Sequence, residues 1–261
     1  MLVALAVAGC SCGTTNHPAN PSDEQVVETP TLVAPDAVVL DRLIAPTTMT
    51  IERRLPPHAV VEGMTPGCGT LVSAYTVSVP SGSGATLAHY QILEGDLPDD
   101  CFPGTAVRRR PPFTVVGPAD LVVSATTATS ATPSRWHDVL GAIPAKAPIW
   151  IGSQDRLFEQ LFGVATAHYE IAFERVELAP NMYFDGRATA TYTTAGDAAI
   201  VARRIKTGEV TLPGKSAEVA ESFKRMRVKQ TATVVSVTFD LGMFGGIPAE
   251  DLQALAAKLP H

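Results

Sequence analysis

A two-residue alternation that returns several times along this chain restricts its fold more than any other feature. Leu71, Ser73, Tyr75, Val77 and Val79 share one side of the run from Leu71 to Val79, and after Ser81-Gly82-Ser83-Gly84 a second such run covers Thr86 to Leu93. A period of two marks a pleated strand with one face buried, so the two runs predict a hairpin. Phe113–Val116 and Leu121–Ser124 are β-branched and separated by Gly117-Pro118-Ala119-Asp120, which predicts a second hairpin. Pro148–Gly152 predicts a short apolar strand. Tyr169, Ile171 and Phe173 alternate with polar residues, and Arg187–Thr193 does so after a turn expected at Asp185-Gly186. Val228–Leu241 predicts the longest strand, with Val235, Val237, Phe239 and Leu241 facing inward and Lys229, Thr231 and Thr233 continuing that phase outward.

Between these runs the spacing changes to that of helices. Val38, Val39, Leu43 and Ile44 predict a short helix over Pro35–Ala45, and Trp136, Val139, Leu140 and Ile143 predict another after Ser134. Leu157, Phe158 and Leu161 share a helical face within Asp155–Phe162. Ala198, Ile200, Val201 and Ile205 form one amphipathic piece, and Val219, Ala220, Phe223 and Met226 form another beyond Leu212-Pro213-Gly214. A final helix is expected from about Pro248, with Glu250 and Asp251 in its first turn, Lys258 near its end, and Leu252, Leu255, Ala256 and Leu259 as its apolar stripe. Hairpins mixed with helices imply an α+β class, with mostly antiparallel sheet and helices packed on one face. The globular region is read as 34–261, with a division into similar subdomains 34–126 and 134–261 at the Thr/Ser/Ala-rich stretch Thr126–Pro133 as the alternative. No internal repeat can be aligned from the residues.

The 261 residues suffice for a large buried core, and Gly 20 with Pro 21 fits many turns and short connections. A formal net charge of -6 argues against a nucleic-acid binder, because neutralising phosphates requires positive charge gathered on one face. No apolar run after residue 10 is long enough to span a bilayer.

The N-terminus reads as an address. Residues 2–9 are apolar and small and end directly at Cys10. Val7-Ala8-Gly9-Cys10 resembles the lipobox of bacterial lipoproteins, although no Lys or Arg lies between Met1 and Cys10. By that resemblance residues 1–9 are a signal peptide and Cys10 is the lipidated first residue, so the membrane is reached through an N-terminal lipid. Ser11 in the following position implies the outer membrane, facing the periplasm or the cell surface. Residues 10–33, rich in Ser, Thr, Asn, Pro and acids, read as a flexible tether. Lys146-Ala147-Pro148-Ile149-Trp150-Ile151 and the strand-to-helix order around it also resemble uncharacterised Gram-negative envelope lipoproteins, which supply no catalytic residues to carry over.

Export places the cysteines in an oxidising compartment. Cys68 and Cys101 lie in turn-like contexts and are the expected disulfide pair, with Cys12 left over in the tether. No Cys-x-x-Cys and no zinc spacing occurs, and no cofactor or metal is expected. His17 and His261 lie at the ends, and His58, His89, His137 and His168 are scattered without informative partners. Nucleophile elbow, Walker loop and zinc-protease motifs are missing, so no catalytic residue is assigned. Glu94, Asp96, Asp99 and Asp100 read as an acidic turn rather than a calcium loop. Arg108-Arg109-Arg110 and the run Lys224, Arg225, Arg227, Lys229 read as solvated charge, with an anionic envelope surface as the sharper alternative. Trp136, Trp150, Phe158 and Phe162 read as core anchors, and Met243-Phe244-Gly245-Gly246-Ile247 as a connection packed under the last helix. The function expected is a non-enzymatic binding or scaffold module whose partner is an envelope protein or ligand. A hydrolase or metal-dependent enzyme whose residues converge only in space, and a small-ligand carrier, are the alternatives.

Overall fold

The computed structural model of the chain describes residues 34–81, 86–127, 134–177, 183–209 and 223–240. Ten strands form one open antiparallel sheet, so the class is α+β, as the alternation predicts. In chain order they are β1 (Thr50–Arg54), β2 (Thr70–Ser81), β3 (Thr86–Asp96), β4 (Ala106–Arg110), β5 (Phe113–Gly117), β6 (Ile149–Ser153), β7 (Thr166–Glu177), β8 (Tyr183–Tyr192), β9 (Arg227–Thr231) and β10 (Val234–Asp240). The helices are α1 (Ala34–Arg42), α2 (Ala119–Thr127), α3 (His137–Gly141), α4 (Leu157–Phe162) and α5 (Ala195–Thr207).

The spatial order is β4-β5-β3-β2-β1-β6-β7-β8-β10-β9. Read outward from the central pair β1–β6, each half repeats the same path: a first strand, two long neighbours, and then a hairpin whose second strand joins the sheet. A helix precedes each first strand, α1 before β1 and α3 before β6. The topology therefore repeats about a pseudo-two-fold axis normal to the sheet at the β1–β6 seam.

Alternation assigns the two faces. Ile51, Tyr75, Val77, Ile92, Val115 and Trp150 lie on the front, where α1, α2 and α3 cover the first half with Leu40, Val122, Ala125, Trp136 and Leu140. Tyr169, Ala188, Ala190, Val235 and Val237 lie on the back, where α4 and α5 cover the second half with Phe158, Phe162, Val201 and Ile205. A third cluster fills the back of the first half, where Leu93 and Val116 meet Leu97, Cys101 and Phe102 from the β3–β4 connection. Back-face connections thus match in pairs. The β1–β2 loop corresponds to α4, and the β3–β4 connection corresponds to α5.

Local chemistry explains the elements. In α5, Thr194 Oγ1 accepts the Asp197 amide at 3.1 Å, Gly208 closes the helix with φ 70°, and Ala198, Val201, Ala202 and Ile205 make the buried stripe. Gly152 leaves room for two indoles, because a Cβ there would lie 2.6 Å from Trp150 and 3.2 Å from Trp136. Charged edge strands, Arg108–Arg110 on β4 and Arg227 with Lys229 on β9, discourage pairing with another sheet.

Several expectations are corrected. Leu121–Ser124 is not a strand but part of α2: Pro118 and Asp120 suit a helix start, and Val122 and Ala125 pack on the front core. The hairpin partner of β5 is instead β4, which contains the arginine run. Asp185 and Gly186 are not a turn but lie inside β8, where a Cβ on Gly186 would come within 2.2 Å of the Ala172 carbonyl oxygen. Val228–Leu241 folds back on itself at Ala232-Thr233, with Ala232 at φ 50°, so Lys229 pairs across to Ser236 rather than extending the same strand. The longest strands are β2 and β7, of 12 residues each.

The residues read as signal peptide and tether (1–33), the Ser81-Gly82-Ser83-Gly84 link beyond Ser81, most of Thr126–Pro133, the expected amphipathic piece up to residue 222, Met243–Ile247 and the helix expected from about Pro248 lie outside the described residues. Among the described residues no helix is long and apolar enough to cross a membrane.

Cys68 and Cys101, the expected pair, stand at disulfide distance, with sulfurs 2.08 Å apart and a sequence separation of 33. Cross-linking a loop of this length restricts the unfolded chain, so Cys68→Ala with Cys101→Ala is expected to lower stability by about 2–4 kcal/mol. Urea unfolding of the purified pair checks this, and an unchanged midpoint would show that the link restrains nothing.

Candidate functional site

The front of the second half carries no described helix over its outer strands. There β7, β8, β10 and β9 present Glu170, Arg187, Thr189, Thr238, Ser236 and Lys229, and with Trp150, Ala172 and the Ala142–Pro144 wall they enclose an open groove of about 630 Å³. Their front-facing register follows from the ladders, Glu170 beside Thr189, Thr189 beside Ser236, and Ser236 beside Lys229. Strand alternation thus separates this polar set from the apolar back face residue by residue.

Glu170 is the chemical centre of the groove. The Trp150 indole Nε1–H donates to its carboxylate at 3.4 Å, and His168 Nε2 stands 3.8 Å away. Burial pushes the Glu170 carboxyl above its ordinary range, and the Trp150 hydrogen bond and the Arg187 charge offset only part of that rise. Burial likewise holds His168 below its ordinary range. Both groups are thereby shifted toward their neutral forms.

A carboxyl raised on folding means that the folded chain takes up this proton more readily than the unfolded chain does. Its stabilising contribution is complete below the ordinary value of 4.5 and is lost as pH rises through the folded value. Glu170→Gln is therefore expected to be more stable than the parent at pH 7, with the gap closing as the pH falls through the folded value toward 4.5. Thermal unfolding across that range checks it. A destabilised variant at pH 7 would show instead that the ionised carboxylate holds the groove together.

The other sequence-marked residues are dispersed. His58 follows β1 and offers its backbone carbonyl to Arg54, His89 pairs with Glu62 at 3.0 Å on the surface, and His137 lies 3.7 Å from Asp41. Glu94 accepts from Ser73 Oγ at 2.7 Å, while Asp99 meets Arg109 at 2.7 Å, so the acidic turn divides among separate partners. Among the described residues the close group of three metal-type ligands is Cys68, Asp100 and Cys101, whose sulfurs are already joined to each other. Arg108–Arg110 border a smaller hollow of about 320 Å³ against α2, where Arg110 donates to the Thr126 carbonyl at 2.6 Å. Trp136, Trp150, Phe158 and Phe162 are core anchors, the first two in the front core and the others on the back.

Glu170, Arg187 and Arg53 carry no motif and were not marked by the sequence. Their one signal is strand phase, because Glu170 sits between Tyr169 and Ile171 and so must face away from them.

Buried charge elsewhere fastens the halves to each other. Arg53 on β1 donates through Nη2 to the carbonyls of Pro144, Ala145 and Ala147 at 3.0, 2.9 and 3.0 Å. Asp41 of α1 accepts from the Ser134 amide at 3.0 Å and from its hydroxyl, and Thr50 and Ser153 hydroxyls meet at 3.0 Å across the seam. No protein-family model, curated protein or solved structure matches this chain.

Proposed function

We propose that this chain is an envelope lipoprotein, anchored through Cys10 after loss of residues 1–9, that acts as a non-enzymatic binding or scaffold module. One observation carries the reading. The buried ionisable groups Arg53 and Asp41 bind carbonyls, an amide and a hydroxyl across the seam, so the interior charge serves to hold a broad duplicated sheet rigid. A rigid sheet on a tether suits presentation of surface to an envelope protein or ligand. The Val7-Ala8-Gly9-Cys10 resemblance supports the anchor, and the net charge of -6 favours a partner other than nucleic acid.

Crosslinking in intact cells, comparing the natural chain with Cys10→Ala, tests this. A defined partner captured by the anchored form and lost with the anchor is the expected result. Equal membrane association of both forms, with no captured partner, would remove the reading.

A second reading is favoured by one observation, the nearness of a raised carboxyl that lines the groove and a lowered imidazole 3.8 Å from it. Glu170 with His168 would then act as an acid–base pair in a hydrolase. Loss of a hydrolytic activity in both Glu170→Gln and His168→Gln, with folding retained, is the result that supports it.

A further inference from the structure

We propose that residues 248–261 dock on the front face of the second half, in the groove above β8, β10 and β9. The groove is thereby an internal docking site of this chain.

The topological repeat carries the argument. Every described connection in one half has a counterpart on the same face of the other half: α1 with α3, the β1–β2 loop with α4, and the β3–β4 connection with α5. One connection has no described counterpart. In the first half the chain leaves β5 into α2, which packs on the front against β4, β5 and β3. The strands that correspond to these are β9, β10 and β8, and all three line the groove. Residues 241–261 follow β10 in the sequence as α2 follows β5.

The residues agree with the topology. Pro118 leads into α2, which begins Ala119-Asp120-Leu121, and the segment after β10 contains Pro248-Ala249-Glu250-Asp251-Leu252. Residues 241–247 can span up to about 23–25 Å when extended, enough to turn from the end of β10 back onto the adjacent front face. The charges are complementary. Arg187, Arg227 and Lys229 line the groove, and Glu250 and Asp251 stand near the start of the segment. Leu252, Leu255 and Leu259 recur at helical spacing, and exposed Ala142 with half-buried Pro144 offers apolar surface at the groove wall, above the buried Trp150 and Ala172.

Docking there does not depend on the anchored-module reading. It does place Glu170 beneath the chain's own segment, where a free substrate would have to displace that segment first.

The test keeps the full chain, because truncation after Asp240 would probe folding as well as docking. Leu252→p-benzoylphenylalanine and Leu255→p-benzoylphenylalanine are each irradiated at low protein concentration, and the crosslinked peptides are mapped by mass spectrometry. Crosslinks within one chain to β8, β9 or β10 residues of the groove, such as Thr189 or Ser236, severalfold more abundant than those to α5 on the back, are the expected result. Crosslinks confined to α5, crosslinks only between two copies, or none from either position overturn the proposal.

Discussion

Trp136→Ala is expected to lower the free energy of unfolding by about 3–5 kcal/mol, among the largest effects available to a single substitution here. Trp136 is fully buried and lies in the front core with Leu40, Tyr75, Ile92 and Val139, residues that come from both halves of the chain. Its removal opens a cavity at the meeting point of α1, α3 and the sheet, and the surrounding backbone is held by the β1–β6 ladder and collapses only in part. The indole Nε1 has no hydrogen-bond partner, so Trp136→Phe removes an unsatisfied donor along with part of the ring and keeps most of the stability. Urea unfolding of the two variants beside the parent distinguishes packing from hydrogen bonding. A loss under about 1 kcal/mol for Trp136→Ala would show that the front core closes without its largest anchor.

The second large effect is expected at Arg53. Its side chain is buried, and burial holds its pKa down while Tyr75 and Glu94 nearby draw it up. Arg53→Met replaces the stem but leaves the Ala147 carbonyl, in a buried contact, and the part-buried carbonyls of Pro144 and Ala145 without their donor. Unsatisfied buried acceptors cost about 1–3 kcal/mol each, and relief from burying a cation offsets part of the sum, so a net loss of about 2–4 kcal/mol is expected. All three bonds come from Nη2, one bond farther along the side chain than a lysine Nζ reaches, so Arg53→Lys is expected to recover little of the loss. Measured unfolding curves in which Arg53→Met equals the parent would mean that the α3–β6 connection does not need this fastening.

Much of the architecture was legible in the sequence because the apolar period is strong where a strand has one buried face. The runs at Leu71–Val79, Thr86–Leu93 and Tyr169–Phe173 all lie in strands, and the Cys68–Cys101 pair follows from turn chemistry. Where the reading failed, a tertiary contact outweighed local preference. β1 went unread because Thr50-Ile51-Glu52-Arg53-Arg54 offers one apolar residue, and its buried arginine is intelligible only once the carbonyls of the α3–β6 connection are in place. The β-branched Val122 and Val123 suggested a strand, yet burial of Val122 and Ala125 on the front core decides for a helix. The fold-back after Thr231 lacks the Asn-Gly type of signal, since Ala232 takes the left-handed position. The repeat was hidden for a related reason. A disulfide-bearing short turn in one half stands where a helix of 13 residues, α5, stands in the other, so path and face are shared while side chains are not.

The groove was less legible. Strand phase alone could set Glu170 opposite Tyr169 and on the same side as His168, but its closeness to Trp150 depends on the pairing of β6 with β7. That pairing is not encoded in a local motif.

The central ladder also bears on the order in which the molecule is assembled. β2–β3 and β7–β8 join residues close in sequence, whereas the seam joins Thr50 to Ser153 across 103 positions. Closing so long a loop costs more entropy than closing a hairpin and returns only two strands of 5 residues. The hairpins of each half therefore have the kinetic advantage, and the seam is the late step that joins them. Until it closes, the inward edges of two half-sheets stand open side by side, and at high concentration each is as ready to meet the matching edge of another molecule as its own.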